Sequence, residues 1–177
     1  KLDNPGNNPA DNVHVLKLNF TRKFFTGVYP YSTMLSIFKP VEYKKYPKAL
    51  KSVFSAQEWC GQTFSQINLS NGAYEAESFS YFESEGDVRT KAPEAVLEDE
   101  IWSMLRISPE ALPTGKFRAI AGFTFSRLSH HPIEAVDAIG ELKKGEKTST
   151  YSIHYPSYDR TLNIEFNVAF PYEIVSW

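Results

Sequence analysis

The sequence predicts a mainly β fold with a minor α component: a curved antiparallel sheet or half-barrel packed on one α-helix. Three observations carry this. Aromatic residues make up 15% of the 177 residues (13 Phe, 10 Tyr and 3 Trp) while Met is scarce, a composition that suits pleated surfaces better than helix bundles. Apolar and polar residues alternate through much of the chain, which is the period of a half-buried strand. Asn71-Gly72 stands between two such runs, and a type I′ hairpin turn needs positive φ at both of its central positions.

Residues 1–12, rich in Asn, Pro, Asp and Gly, read as a flexible lead or loop, and 13–177 as a single domain. Val13 to Phe20 alternates, with His14, Leu16, Leu18 and Phe20 on one side. Thr26-Gly27 turns the chain, and Val28 to Phe38 forms the next strand, with Pro30 near its start or edge. The lysine-rich stretch 39–51 is expected to be an exposed connection.

Gln57 to Asp87 is predicted as one long hairpin around which the other elements assemble. Closing it at Asn71-Gly72 sets Ser70 opposite Ala73, Phe64 opposite Phe79, Gln62 opposite Tyr81 and Glu58 opposite Glu85. The last pairing opposes like charges, which costs up to ~1 kcal/mol, so the ladder is expected to end or bulge before it, a cation between the two glutamates being the third explanation. Phe82 falls opposite Gly61 and is expected to cover that strand glycine.

Pro93 to Ile107 is the one predicted helix. Pro93 suits its first position, Glu94, Glu98 and Asp99 lie in its N-terminal half, and Leu97, Ile101, Met104 and Leu105 recur at helical spacing. Lys116 to Leu128 is predicted as a long strand with Phe117, Ala119, Ala121, Phe123 and Phe125 on one face. A strand over 133–142, a hairpin of 148–155 with 161–170, and a short strand over 172–177 complete the chain.

The formal net charge of −2 provides no basic groove, which argues against nucleic acid as a partner. Cys60 is the single cysteine, so neither an internal disulfide nor a cysteine-built zinc site is possible. No apolar run approaches the ~20 residues that span a bilayer, and no cofactor motif is present. Lys1 is not a natural start, so the chain is expected to begin inside a longer protein.

Candidate chemistry is sparse. Cys60 with His14, His130, His131 or His154 would make a thiol nucleophile and base, but buried packing is the expected role of a lone cysteine. His130-His131 before Pro132 reads as an exposed turn. Glu83, Glu85 and Asp87 lie at alternate positions around Gly86, as oxygen ligands of Ca²⁺ do, and form a weak candidate metal site. A solvated loop or salt-bridged corner is the competing expectation there. Glu98-Asp99-Glu100 is expected to be a solvated helix face, and Trp102 to pack against the sheet edge or serve as a ligand platform.

Five stretches, NFTRKFFTGVYPYS (19–32), QEWCGQTFSQ (57–66), SYFESEGD (80–87), LEDEIWSMLRISPEALPTG (97–115) and RTLNIEF…PYEIVSW (160–177), carry a resemblance. They are similar to a family of Gram-negative envelope lipoproteins of unknown biochemical activity. Members often carry the label "septum formation inhibitor", which does not suit this chain. The septum-inhibitor nucleotide pyrophosphatases have a Ser-Pro-Arg-Arg stretch early in an α/β fold, and this sequence has neither. The resemblance implies a periplasmic or outer-membrane address, an anchoring lipid on a Cys far upstream, and a first stretch of the domain preceding Lys1. It carries over no catalytic residue.

The expected function is therefore non-enzymatic: an envelope domain that binds a partner protein or an apolar, lipid-like ligand. The expected ligand-binding residues are Phe64, Phe79, Tyr81, Phe117, Phe123, Phe125 and Trp102, lining a half-barrel. A hydrolase using Glu83, Glu85 and Glu98, and a scaffold subunit pairing through a sheet edge, are the alternatives.

Overall fold

The computed structural model describes Gly6 and residues 12–177, and among the described residues twelve strands form two sheets with one main helix between them. Apart from Gly6 and Asn12, the predicted lead lies outside the described residues. The first sheet is an uninterrupted meander of β1 (Val15–Thr26), β2 (Tyr29–Pro40), β3 (Lys51–Glu58), β4 (Gly61–Ser70), β5 (Ala73–Phe79) and β6 (Asp87–Pro93). After the two-residue β7 (Val96–Leu97) comes α1 (Glu98–Ile107), then β8 (Gly115–Ile120) and the short helix α2 (Phe123–Leu128). β9 (Ala135–Lys143), β10 (Thr148–Tyr155), β11 (Arg160–Asn167) and β12 (Ile174–Ser176) follow. The second sheet runs β12-β11-β10-β9-β8-β7 and curls as a half-barrel, antiparallel but for the short β7–β8 pairing.

The predicted hairpin register holds where the ladder exists: Ser70 pairs Ala73 and Phe64 pairs Phe79 across Asn71 (φ 50°) and Gly72 (φ 75°). Its first strand, however, is two strands. The chain reverses at Trp59-Cys60, so Glu58 pairs Gly61 rather than facing Glu85. The β4–β5 ladder stops at Phe64–Phe79, which removes the like-charge pairing. Gly61 is covered by Tyr81, not Phe82: a Cβ there would lie 2.7 Å from Tyr81 ring carbons. The Tyr81 hydroxyl in turn donates to Glu58.

Three further expectations are corrected. The stretch 39–51 is not wholly exposed, because Lys39, Pro40 and Ala49 are buried. The helix begins at Glu98; Pro93 ends β6 at the sheet edge, where its missing N–H is tolerated. The predicted strand 116–128 ends at Ile120, and Phe123 and Phe125 belong to α2. The alternation of apolar residues persists past Ile120, but buried carboxylates on α1 draw the backbone out of the sheet (below).

Two core clusters fill the space between the sheets, and the half-buried Leu18 packs against both. The first sheet contributes Leu35, Ile37, Phe54, Ile67, Tyr74 and Ala76, against Leu97, Ile120 and Phe123. Ile101, Trp102, Met104 and Leu105 of α1 lie against Ala119, Ala138, Tyr151, Ile153, Tyr155, Ile164 and Phe166 of the second sheet. At ~25 cal/mol per Å² of apolar surface, burying each such side chain contributes roughly 1.5–3 kcal/mol, so a core of this kind needs no disulfide.

Candidate functional site

The inner face of the first sheet is the parity opposite to the one expected. Side chains alternate faces along a strand, and on β4 and β5 it is Thr63, Ile67, Tyr74 and Ala76 that are buried. Phe64 and Phe79 therefore lie on the outer face, half-buried against each other at 6.4 Å between centroids. Tyr81 is exposed on its loop, and Phe117 on β8 packs against the second core. Of the seven expected ligand-binding residues, Phe123, Phe125 and Trp102 line hollows; Phe64, Phe79, Tyr81 and Phe117 do not.

Two clefts open on that inner face, one on each side of α2. The first holds about 400 Å³. It lies where two cross-strand rows, Phe54–Ser65–Ser78–Val88 and Ile67–Ala76–Thr90, carry small side chains on β4 and β5. Phe123, Ser126, Pro132 and Ile133 form the opposite wall, while Glu85, Arg127 and His130 stand at the rim. Within it Ser65 and Ser78 share a hydrogen bond of 2.8 Å between their hydroxyls.

The rim is held by Glu85. Its Oε2 accepts from Arg127 Nη1 at 2.5 Å and from the Ser80 hydroxyl, and its Oε1 lies 2.6 Å from His130 Nδ1. Burial opposes ionisation of this carboxyl, but the hydrogen bonds from Ser80, His130 and Arg127 outweigh it and hold the pKa below the ordinary range. Arg127 also stacks over Phe82 at 4.8 Å. Glu83 and Asp87, the other members of the weak metal candidate, are exposed, and among the described residues no group of three or more His, Cys, Asp or Glu side chains is placed to hold a metal ion.

The second cleft, of about 300 Å³, lies between β1, the first turn of α1, the far side of α2 and β11. Phe20, Trp102 and Trp177 meet edge to face in a closed triangle, with centroids 5.6 to 5.8 Å apart. The Arg22 guanidinium sits over Phe20 at 4.5 Å and over Trp177 at 5.7 Å. Burial lowers its pKa, and the charge of Asp99 opposes that shift.

At its base, the acidic run expected to be solvated is buried throughout: Glu98, Asp99 and Glu100 are 4%, 6% and 4% exposed. Each carboxyl has a different partner. Arg160 Nη1 and Nη2 donate to Glu98 Oε2 and Oε1 at 2.6 and 2.8 Å. Lys39 Nζ and the Ala49 N–H donate to Glu100 Oε2 at 2.8 and 2.6 Å, while Glu100 Oε1 reaches back to the Leu97 N–H at 3.3 Å. Asp99 Oδ2 accepts only longer bonds of 3.3 Å, from the Ser52 hydroxyl and the Phe123 N–H. That last bond starts α2. Burial, reinforced by the neighbouring Glu98 charge, pushes the Asp99 carboxyl up to about 7.

The remaining candidates are dispersed. Cys60 is exposed in the Trp59-Cys60 turn, not packed, because the strand predicted to bury it reverses there. Its N–H donates to Glu58, and among the described residues no histidine hydrogen-bonds to it. His14 is exposed, His154 pairs with the Thr161 hydroxyl at 3.0 Å, and His131 stacks on Phe125 and meets Tyr158 at a tilt. No helix is long and apolar enough to cross a membrane among the described residues. Comparison of the chain with models of known families, with curated proteins and with solved structures finds no match in any of the three.

Proposed function

We propose that this protein is a non-enzymatic binding domain of the Gram-negative envelope, and that its ligand is apolar or lipid-like and occupies the larger cleft. The observation that carries the reading is the hollow itself. An apolar lining of Ala76 and Val88 on the sheet and Phe123 and Ile133 on the opposite wall, beside a charged rim of Glu85, Arg127 and His130, is the pattern of a site for a small amphiphile, and about 400 Å³ falls within the usual ligand-site range. The envelope address is supported by the resemblance of the stretches quoted above.

A hydrolase built on Glu83, Glu85 and Glu98 has less in its favour. Glu85 and Glu98 are each engaged by an arginine at 2.5 to 2.6 Å, and Glu83 is exposed. A general acid or base needs a proton poised near neutrality, and the bonds from Ser80, His130 and Arg127 hold the Glu85 carboxyl below the ordinary range.

The neutral fluorophore N-phenyl-1-naphthylamine tests the reading. It should brighten on binding and be displaced by lysophosphatidylethanolamine, and Ala76→Trp, which fills the cleft, should remove the signal. A fluorescence gain equal in the wild type and in Ala76→Trp would place the binding elsewhere and refute the assignment.

A further inference from the structure

We propose that the smaller cleft is a second binding site, for a small organic monocarboxylate. The ligand's ring or chain lies on the Phe20–Trp102–Trp177 triangle and its carboxylate is taken by the Arg22 guanidinium. This inference does not depend on the reading of the larger cleft.

Arg22 carries the argument. Its guanidinium is held over two aromatic faces and lines the cleft, yet among the described residues it makes no hydrogen bond and no ion pair. A guanidinium offers five N–H donors in a rigid fork that matches a carboxylate. Arg160, the other arginine of the cleft, already has its bidentate partner in Glu98. One fork is filled from within the chain and the other is open.

The charge balance sets the ligand's charge. Arg160 and Glu98 cancel. Asp99 is protonated below about 7, so Arg22 leaves the cleft with a single positive charge. A monoanion neutralises it; a dianion such as phosphate would face Glu98 across the same cleft. The apolar walls, Leu35, Leu128 and Leu162 beside the ring triangle, require the rest of the ligand to be apolar, and about 300 Å³ limits it to one ring or a short chain.

Asp99 also makes the site sensitive to pH. The charged or titratable groups around it are Glu98 on α1, Arg160 on β11, Arg22 on β1 and Tyr155 on β10. Tyr155 stays protonated, since burial and then Glu98 raise its pKa. Ionisation of Asp99 therefore adds a negative charge beside Arg22 and cancels the excess that attracts the ligand.

Isothermal titration calorimetry with 3-phenylpropionate and with its amide tests this directly. The acid should bind at least about tenfold more tightly than the amide at about pH 6, and weaken roughly tenfold by about pH 8. Arg22→Gln should bring the acid down to the amide's affinity, whereas Asp99→Asn should keep the acid's affinity unchanged across that range. Equal affinities for acid and amide in the wild-type protein, or no heat from either, would overturn the proposal, and that comparison needs no variant to fold.

Discussion

The residues that most constrain this molecule are the three carboxyls opening α1, which share a sequence neighbourhood but not their partners. Glu98 is paired with Arg160 and Glu100 with Lys39; Asp99, with only two 3.3 Å donors, is pushed up to about 7. Removing one partner of a buried pair leaves a charge uncompensated and costs about 3–5 kcal/mol. Lys39→Met should therefore destabilise the protein by that amount in guanidinium chloride denaturation. Adding Glu100→Gln should restore most of the loss, because the amide keeps an acceptor for the Ala49 N–H. The pH dependence has the opposite sign from that of an ordinary salt-bridged acid. A carboxyl whose folded pKa lies above its unfolded value contributes stability that is full below the unfolded value and is lost as pH rises. For Asp99 the window runs from 3.8 to about 7, and the loss approaches about 4 kcal/mol. Glu100, raised by burial against the opposing charge of Lys39, acts in the same direction. Unfolding free energies measured across that window should fall with rising pH in the wild type and fall less steeply in Asp99→Asn. The run Glu98-Asp99-Glu100 looked solvated because three adjacent charges usually are. Their partners, Lys39 and Arg160, lie 61 and 62 residues away in sequence, so no local pattern announces the pairing.

The elements show where local pattern suffices and where it fails. The Asn71-Gly72 hairpin was legible to the residue, since both the turn and the ladder are local and Phe64–Phe79 pair as expected. The face of that hairpin was not. Phe64 and Phe79 were the larger apolar residues, yet the inner face holds Thr63, Ile67, Tyr74 and Ala76, with Ser65 and Ser78 lining the larger cleft. A shift of one residue in parity exchanges the two faces, and nothing within a strand states which face meets a neighbour. α2 was missed for a related reason. Phe123 and Phe125 continue the alternation of β8, but the Phe123 N–H is drawn to Asp99, and Gly122 passes so close to α1 that a Cβ would lie 2.6 Å from Glu98 Oε1 and 3.0 Å from Asp99 Oδ1. Glu98 cannot yield, clamped as it is by Arg160. Gly122→Ala should accordingly cost about 1–3 kcal/mol, read as a lowered melting temperature. Ala121→Gly, which loses a methyl group from the neighbouring residue without adding a clash, should cost less than Gly122→Ala.

At the scale of the whole molecule, two sheets and α1 form a filled centre, and α2 divides the remaining space into two clefts of different character. The larger is lined by small and apolar side chains; the smaller is walled by aromatic rings and holds an arginine with no ion-pair partner among the described residues. The antiparallel half-barrel was legible from alternation and aromatic content alone. The clefts were not, since each draws on strands, a helix and loops far apart in the chain: Ser65 and Ile133 at one, Arg22 and Trp177 at the other. Ala76 is itself 2% exposed, so Ala76→Trp should lower the melting temperature by overpacking, at a cost of about 1–3 kcal/mol, as well as abolish binding.

Amide chemical-shift mapping with lysophosphatidylethanolamine, held below its micelle concentration, addresses the central claim most directly. Shifts should concentrate at Ser65, Ala76, Ser78, Thr90 and Ser126, with Phe64 and Phe79 unmoved beyond the effect of their neighbours. Shifts centred on the outer face around Phe64 and Phe79, or none at all, would contradict the account.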